Sequence, residues 1–170
     1  LFGGDPDVLY RAACLPQIRA FDIVDINMGC PVPKVVKNGE GSALGRDVDR
    51  AAACVAALKA GSGRPVTAKF RLGFDMDDFT APKLAVALEK AGVAAVAVHG
   101  RYAAQMYRGR ADWEKIVAVK NSVSVPVFGN GDIASATQAE ARLRVCDGIM
   151  IGRGALGHPE LFAELLGGIG

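Results

Sequence analysis

Five short apolar segments separated by helical stretches constrain the fold of this chain more than any other feature. They are residues 21–27, 65–73, 94–99, 125–129 and 146–151, and each ends in glycine or a polar residue or is followed directly by glycine. Strands that alternate with helices in this way are joined by crossovers and form parallel βα units. The sequence therefore predicts an α/β fold, which is either a doubly wound sheet or a (β/α)8 TIM barrel.

The first two of these strands each have one face that carries polar groups. In segment 21–27, Asp25 and Asn27 alternate with branched apolar residues. In segment 65–73, Lys69 and Arg71 share the face that would point into a barrel. A cation buried there needs a nearby carboxylate, a bound anion or an electron-rich ring. We expect a ligand at this face, with a structural ion pair as the alternative.

The helix starts are predicted from capping residues. The predicted N-caps are Asp5, Asp47 (or Asp49), Asp112 and Ser135. We expect the helix that Asp5 caps to run to about Arg19, and residues 32–46 to form a long binding loop.

Cys30 is the candidate reactive thiol. It follows the first strand on a short stiff corner between Gly29 and Pro31. Functional groups of parallel barrels lie at the C-terminal ends of strands, although a cysteine is more often a small buried hydrophobic residue. The other three cysteines are widely spaced and form no Cys-x-x-Cys pair. This spacing argues against zinc and against a disulfide framework, so we expect no metal.

His99 and Arg101 follow the third strand. The small residues that precede His99 favour an open pocket around it, although a lone histidine is more often a satisfied core residue. The loop 101–110 combines Arg101 with tyrosines and further arginines. Such a mixture suits stacking on bases and binding of phosphates, and it is equally compatible with a solvated basic surface.

Two glycine-containing turns follow the last two strands, and they favour the barrel. These turns are Asn130-Gly131-Asp132 and Gly152-Arg153, with a short helix after the second. Barrels bind phosphate in this way after strands seven and eight, and Arg153 would add a charged contact. The alternative is a pair of tight turns. Residues 152–157 also fit G-x-G-x-x-G, which would favour the doubly wound alternative, but this match is weak because it falls at the end of the sequence, which stops before the position about 20 residues later where an acidic residue would be expected.

Composition sets the remaining limits. The chain has 170 residues and a net charge of +2, which neither demands nor excludes a nucleic-acid partner. Its longest apolar runs are too short to cross a bilayer. We expect one domain over residues 1–170, a cytoplasmic location and no membrane partner.

Seven motifs together resemble the tRNA-dihydrouridine synthase family. They lie at 25–31 (Asp-Ile-Asn-Met-Gly-Cys-Pro), 69–73, 98–101, 105–109, 111–113, 129–133 and 150–154. The resemblance spans nearly the whole chain. Members of that family are FMN-dependent barrels with a C-terminal helical domain that helps to hold tRNA. The resemblance implies a partial TIM barrel that runs from the end of strand 3 through strand 8, without the first two strands and the helical domain.

The resemblance also implies a reaction and residue roles. Reduced FMN, recharged by NADPH, would pass a hydride to C6 of a uridine in tRNA while a cysteine protonates C5. Cys30 matches the proton donor. The residues that match FMN contacts are Lys69, His99, Asn130, Gly131, Asp132, Gly152 and Arg153, and the expected substrate contacts are Asn27, Arg71 and Arg101.

Further expectations and alternatives follow from the same residues. A partial barrel leaves two open sheet edges, which invites association with another chain. We expect the isolated chain to bind FMN poorly and to have no turnover. Two other functions fit: another FMN-dependent barrel oxidoreductase, such as a dihydroorotate dehydrogenase, and a non-catalytic RNA-binding or phosphate-binding remnant.

Overall fold

The chain folds around one parallel sheet. A computed structural model describes residues 1–167. The strands are β1 (Val24–Met28), β2 (Val66–Arg71), β3 (Ala95–His99), β4 (Val127–Asn130) and β5 (Gly148–Met150). They pair in parallel in the order of the sequence, β1-β2-β3-β4-β5. The predicted α/β fold is confirmed, and a sheet wound in sequence order is consistent with part of a TIM barrel. The numbering of these strands within a barrel stays a prediction.

Helices cover one face of the sheet and fill each crossover. They are α1 (Pro6–Ala13), α2 (Pro16–Arg19), α3 (Pro33–Lys37), α4 (Val48–Ser62), α5 (Ala81–Lys90), α6 (Trp113–Lys120), α7 (Ala136–Leu143) and α8 (Leu161–Leu165), with 3₁₀ helices at Gly41–Arg46 and Arg153–Ala155. Four of the predicted N-caps are confirmed, because the side chains of Asp5, Asp47, Asp112 and Ser135 accept hydrogen bonds from backbone N–H groups of the first turn.

Two expectations about local structure were wrong. The first helix does not reach Arg19, because α1 ends at Ala13 and α2 begins at Pro16. Proline disfavours the helical conformation of the residue before it, and Leu15 is extended, with φ −63° and ψ 136°. Residues 32–46 are also not a plain loop, since they form α3 and the first 3₁₀ helix.

The two faces of the sheet differ as the alternation predicts. Val24 and Ile26 of β1 and Phe70 of β2 are buried under the helices. The opposite, concave face carries Asp25 and Asn27 of β1, which are exposed, together with Lys69, Arg71 and His99. Apolar burial therefore fixes the strands from one side, and the polar groups of the other side are left for a ligand.

Leu1 lies beside the β1 edge. Its amino group donates to the carbonyl oxygen of Asp25 at 2.7 Å, and its carbonyl oxygen accepts from the N–H of Asn27 at 2.8 Å. Bonds from one residue to positions 25 and 27 are the pattern of a parallel ladder. At the other edge, β5 pairs only with β4 among residues 1–167. The association of open edges with another chain stays a prediction.

Candidate active site

A cleft of about 700 Å³ opens at the C-terminal ends of the strands. Its lining includes ten of the eleven site residues predicted from the sequence: Asn27, Cys30, Lys69, Arg71, His99, Asn130, Gly131, Asp132, Gly152 and Arg153. The exception is Arg101. Parallel strands place their carboxyl ends along one edge of the sheet, which is why residues distant in sequence meet here.

Hydrogen bonds from three directions hold the corner that carries Cys30. The side-chain oxygen of Asn27 accepts from the N–H groups of Gly29 and Cys30, both at 3.0 Å. Arg71 Nε donates to the carbonyl oxygen of Gly29 at 2.9 Å. The N–H of Ser42 donates to the carbonyl oxygen of Cys30 at 3.0 Å. The half-buried thiol therefore sits on a fixed backbone at the cleft wall.

The two cations of β2 have different surroundings. Arg71 is 6% exposed, and its Nη1 donates to the carbonyl oxygens of Tyr102 and Met106 at 3.1 and 2.8 Å. The side chain of Lys69 makes no hydrogen bond or ion pair within residues 1–167. Burial lowers the pKa of Lys69, and the charge of Arg71 lowers it further, while Asp25 opposes the change. The Lys69 ammonium is therefore a desolvated charge directed at the cleft, where an anion or electron-rich ring would stabilise it.

His99 is a neutral imidazole. It is 7% exposed, and burial together with the charges of Arg71, Lys69 and Arg101 lowers its pKa to about 3. Asp132 acts in the opposite direction and is outweighed. At neutral pH this ring can donate one hydrogen bond and accept another, but it carries no charge.

Arg101 lies beneath the cleft and not in its lining. Its side chain is 2% exposed, and Nη2 donates to both carboxylate oxygens of Asp132 at 2.8 Å and to the carbonyl oxygen of Gly109 at 2.7 Å. Nε donates to the carbonyl oxygen of Arg108 at 3.2 Å. The predicted contact between Arg101 and the substrate does not agree with this position, because its donors are engaged inside the protein.

The Asp132 carboxylate is a partner of other side chains at the edge of the cleft. Burial alone would raise its pKa, but the hydrogen bond from the Ala111 N–H and the charge of Arg101 outweigh burial, so the pKa is lowered. An ionised carboxylate repels a phosphate. Any phosphate contact of Asp132 would therefore have to involve its backbone N–H.

The two glycine turns touch each other. Asn130 Nδ2 donates to the carbonyl oxygen of Met150 at 2.7 Å, which links the ends of β4 and β5. A Cβ at Gly154 would overlap the carbonyl oxygen of Ile133, so the second turn reaches the first through a position without a side chain. Gly131 has a φ of +129°, which favours glycine. The turns form one continuous surface at the cleft.

Some lining residues were not assigned to the site from the sequence. Tyr107 is 57% exposed, and two guanidinium groups lie over its ring. The centre of the ring is 4.6 Å from Arg153 Cζ and 5.7 Å from Arg71 Cζ. Its place in a loop rich in arginine was the available signal. Behind the lining, Gly41 has a φ of +57° and packs on the Cys30 backbone. No local pattern distinguishes Gly41 from the other glycines of its loop.

Comparison with solved structures defines the class of fold. D-glucarate dehydratase from Agrobacterium tumefaciens complexed with magnesium matches with a TM-score of 0.68 and 15% identity over 95% of this chain and 38% of that chain. A putative mandelate racemase/muconate lactonizing enzyme from Labrenzia alexandrii matches with a TM-score of 0.63 and 14% identity over 95% and 39% of the two chains. Matches at this identity show the fold alone: an α/β protein built on a parallel sheet with intervening helices.

Sequence comparison identifies the family. The dihydrouridine synthase (Dus) family model matches residues 1–167. A probable tRNA-dihydrouridine synthase from Mycobacterium tuberculosis is 46% identical over 97% of this chain and 44% of that protein. The tRNA-dihydrouridine synthase B of Pseudomonas aeruginosa is 43% identical over 96% of this chain and 50% of that protein. The chain belongs to the dihydrouridine synthase family, and it spans about half the length of the curated relatives it matches.

The helices within residues 1–167 include none that is long and apolar enough to cross a membrane. The histidine, cysteine and acidic side chains of the same residues form no group of three or more that could hold a metal ion.

Proposed function

We propose that this chain is the catalytic part of a tRNA-dihydrouridine synthase that reduces uridine in tRNA to 5,6-dihydrouridine with FMN and NADPH. Membership of the family supports an oxidoreductase that acts on tRNA, and we place it in the cytoplasm with its substrate. One observation carries the proposal: Cys30, Lys69 and the two glycine turns line a single cleft.

The cleft fits a phosphorylated, electron-rich cofactor. Arg153 is 56% exposed, with its Nη2 3.9 Å from Asp132 Oδ1, and the side chain of Lys69 has no partner within residues 1–167, so both cations can reach a ligand. A Cβ at Gly152 would meet no atom within 4 Å, which leaves space above that turn. The backbone of the turns and Arg153 would hold the phosphate of FMN, and Lys69 and His99 would contact its ring system. Bound FMN would supply the reducing electrons, with NADPH as their source.

The protein's own groups would place and protonate the uracil. Cys30 Sγ would donate a proton to the ring carbon of the reduced base, and its fixed corner would define the face from which that proton arrives. The side-chain N–H groups of Asn27 make no hydrogen bond within residues 1–167, so they are free to donate to a uracil carbonyl. Arg71 would act on the same base from β2, and it also holds the corner through Gly29.

Replacement of Cys30 with alanine tests the proposal in the complete protein. Loss of a general acid lowers a rate by about 10²–10⁴-fold, so the Cys30→Ala variant should form dihydrouridine at least a hundredfold more slowly while it keeps its flavin absorbance. Dihydrouridine would be measured by mass spectrometry on tRNA prepared without the modification. Cys14→Ala is the matched control, since Cys14 lies outside the cleft lining. Undiminished turnover in Cys30→Ala would contradict the assigned role.

The same assay separates the alternatives. The family match disfavours a dihydroorotate dehydrogenase, and activity on dihydroorotate in place of tRNA would reverse that conclusion. A non-catalytic RNA-binding or phosphate-binding protein would bind tRNA equally well with and without Cys30 and would form no product. We expect the isolated chain to bind FMN poorly and not to turn over. A flavin spectrum at full occupancy in the purified chain would contradict this expectation.

A further inference from the structure

Arg101, which lies outside the cleft lining, contacts the ring of His99, which lies within it. Arg101 Nη1 lies 3.3 Å from His99 Nε2, and both side chains are buried. A guanidinium group only donates hydrogen bonds. His99 Nε2 is therefore the acceptor, and in a neutral ring the proton must then lie on Nδ1.

The Nδ1 proton has no partner in the protein. Within residues 1–167, His99 Nδ1 makes no hydrogen bond. In those residues the only fully buried side-chain nitrogen or oxygen without a hydrogen-bond partner is Ser42 Oγ, so His99 Nδ1 is accessible to solvent. His99 also lines the cleft. The Nδ1–H group is consequently available to a ligand.

The position of Arg101 is fixed by three acceptors besides His99: one carboxylate at the edge of the cleft and two backbone carbonyl oxygens of its own loop. Asp132 accepts from Nη2 through both carboxylate oxygens, the carbonyl oxygen of Gly109 also accepts from Nη2, and the carbonyl oxygen of Arg108 accepts from Nε. Nη1 is thereby directed at His99. A lysine could not reproduce this geometry, because its single ammonium lacks the planar fork.

We infer that Arg101 is a positioning residue that holds His99 in the Nδ1–H form, so that this proton is presented to a hydrogen-bond acceptor on the ligand in the cleft. The identity of that ligand as FMN rests on the proposed function, whereas the state of the histidine ring does not. The charged groups around the ring are Lys69 and Arg71 on β2, Arg101 after β3 and Asp132 after β4. Burial of the ring, together with the three cations among these four groups, lowers the pKa of His99 and keeps the ring neutral.

Nitrogen NMR tests the inference on the protein without ligand. The chain contains two histidines, so ¹⁵N-labelled histidine gives two rings, and His158→Gln assigns them. We expect the His99 ring to show a protonated, pyrrole-type Nδ1 and an unprotonated Nε2 over about pH 5–8. An Nε2–H ring, or a charged ring, in the unmodified protein would overturn the inference whether or not any variant folds.

A variant shows whether Arg101 is the cause. In Arg101→Met we expect Nε2–H to appear, as free histidine prefers, and the pKa of His99 to rise because one neighbouring cation is lost. Arg110→Met is the matched control: Arg110 is exposed in the same loop and has no hydrogen bond or ion pair within residues 1–167. An unchanged ring in a folded Arg101→Met variant would overturn the inference.

A double-mutant cycle on FMN affinity in the complete protein tests action through His99. Arg101→Met and His99→Ala should each raise the dissociation constant of FMN about tenfold, and the double variant should be little worse than either one. Fully additive losses of about a hundredfold would show that Arg101 acts by another route. If the protein bound no FMN, the proposal of FMN as the cofactor would be wrong, but the NMR experiment would still show which nitrogen of His99 carries the proton.

Discussion

The side-chain oxygen of Asn27 accepts hydrogen bonds from the backbone N–H groups of Gly29 and Cys30, each at 3.0 Å. This pair of bonds closes a local turn of the kind that asparagine favours, directly after β1. The residue expected to contact the substrate therefore also shapes the corner that holds the thiol.

The two roles of Asn27 can be separated. We predict that Asn27→Ala loses about 1 kcal/mol of unfolding free energy, because two N–H groups lose their acceptor, and that Cys30 then reacts faster with an alkylating reagent. Asn27→Asp keeps an acceptor and loses the amide donor, so the corner should stay intact while dihydrouridine formation falls. Chemical denaturation, thiol alkylation and turnover measure the three effects. Equal alkylation rates in all forms would contradict the holding role.

Lys69 should destabilise the protein when no ligand is bound. Its pKa is lowered in the folded state, so between its folded and unfolded pKa values the unfolded chain binds more protons and stability rises with pH. Below both values the cost of the buried charge is present in full. Lys69→Met should accordingly raise the melting temperature at neutral pH, by about 2–4 °C for each 1 kcal/mol gained, and weaken FMN binding.

Lys83→Met is the control for that variant, because Lys83 lies exposed on α5 and has no ion pair within residues 1–167. It should change neither the melting temperature nor the affinity for FMN. A fall in the melting temperature of Lys69→Met would show that the cation has a stabilising partner.

The pKa values of the two histidines should be shifted in opposite directions from the ordinary value. His99 stays neutral because its pKa is lowered to about 3, whereas the hydrogen bond to Glu160 raises the pKa of the exposed His158. The Nδ1 of His158 lies 2.7 Å from Glu160 Oε1. A raised folded pKa means that the contribution of His158 to stability is present below its unfolded value, about 6.5, and is lost as pH rises through the folded value.

NMR titration checks this difference. One histidine signal should titrate with a midpoint above about 6.5, and Glu160→Gln should move that midpoint down towards the ordinary value. The other signal should not titrate near neutrality. Two midpoints close to the ordinary value would contradict the surroundings of both residues.

Gly152 and Gly154 lie in the same turn, but only Gly154 packs closely against the protein, whereas Gly152 faces open space. Gly154→Ala should destabilise the protein by about 1–3 kcal/mol, since the new Cβ would overlap the carbonyl oxygen of Ile133. Gly152→Ala has open space around the new methyl group and should unfold at nearly the same denaturant concentration as the unmodified protein. Equal midpoints for the two variants would contradict the contact between the turns.

The sequence predicted the convergence of the cleft residues because strand ends in parallel folds share one edge. Alternation alone gave the faces of β1 and β2, and capping residues gave four helix starts. Arg101 was misplaced for a physical reason. Nothing near it distinguishes a buried arginine from the exposed ones of its loop, and Asp132, which draws it inward, lies 31 residues away. Contacts of that range depend on the assembled sheet.

Because Gly154 has no side chain, the backbones of the two glycine turns are in direct contact at the cleft. Because the two turns rest against each other backbone to backbone, neither can shift far without displacing its neighbour, and each continues directly from a hydrogen-bonded strand. The backbone of the two turns, where an anion would bind, is thus held in place by the sheet. Adjustment on ligand entry would fall to long, exposed side chains such as Arg153, which can swing while the peptide groups below them keep their places.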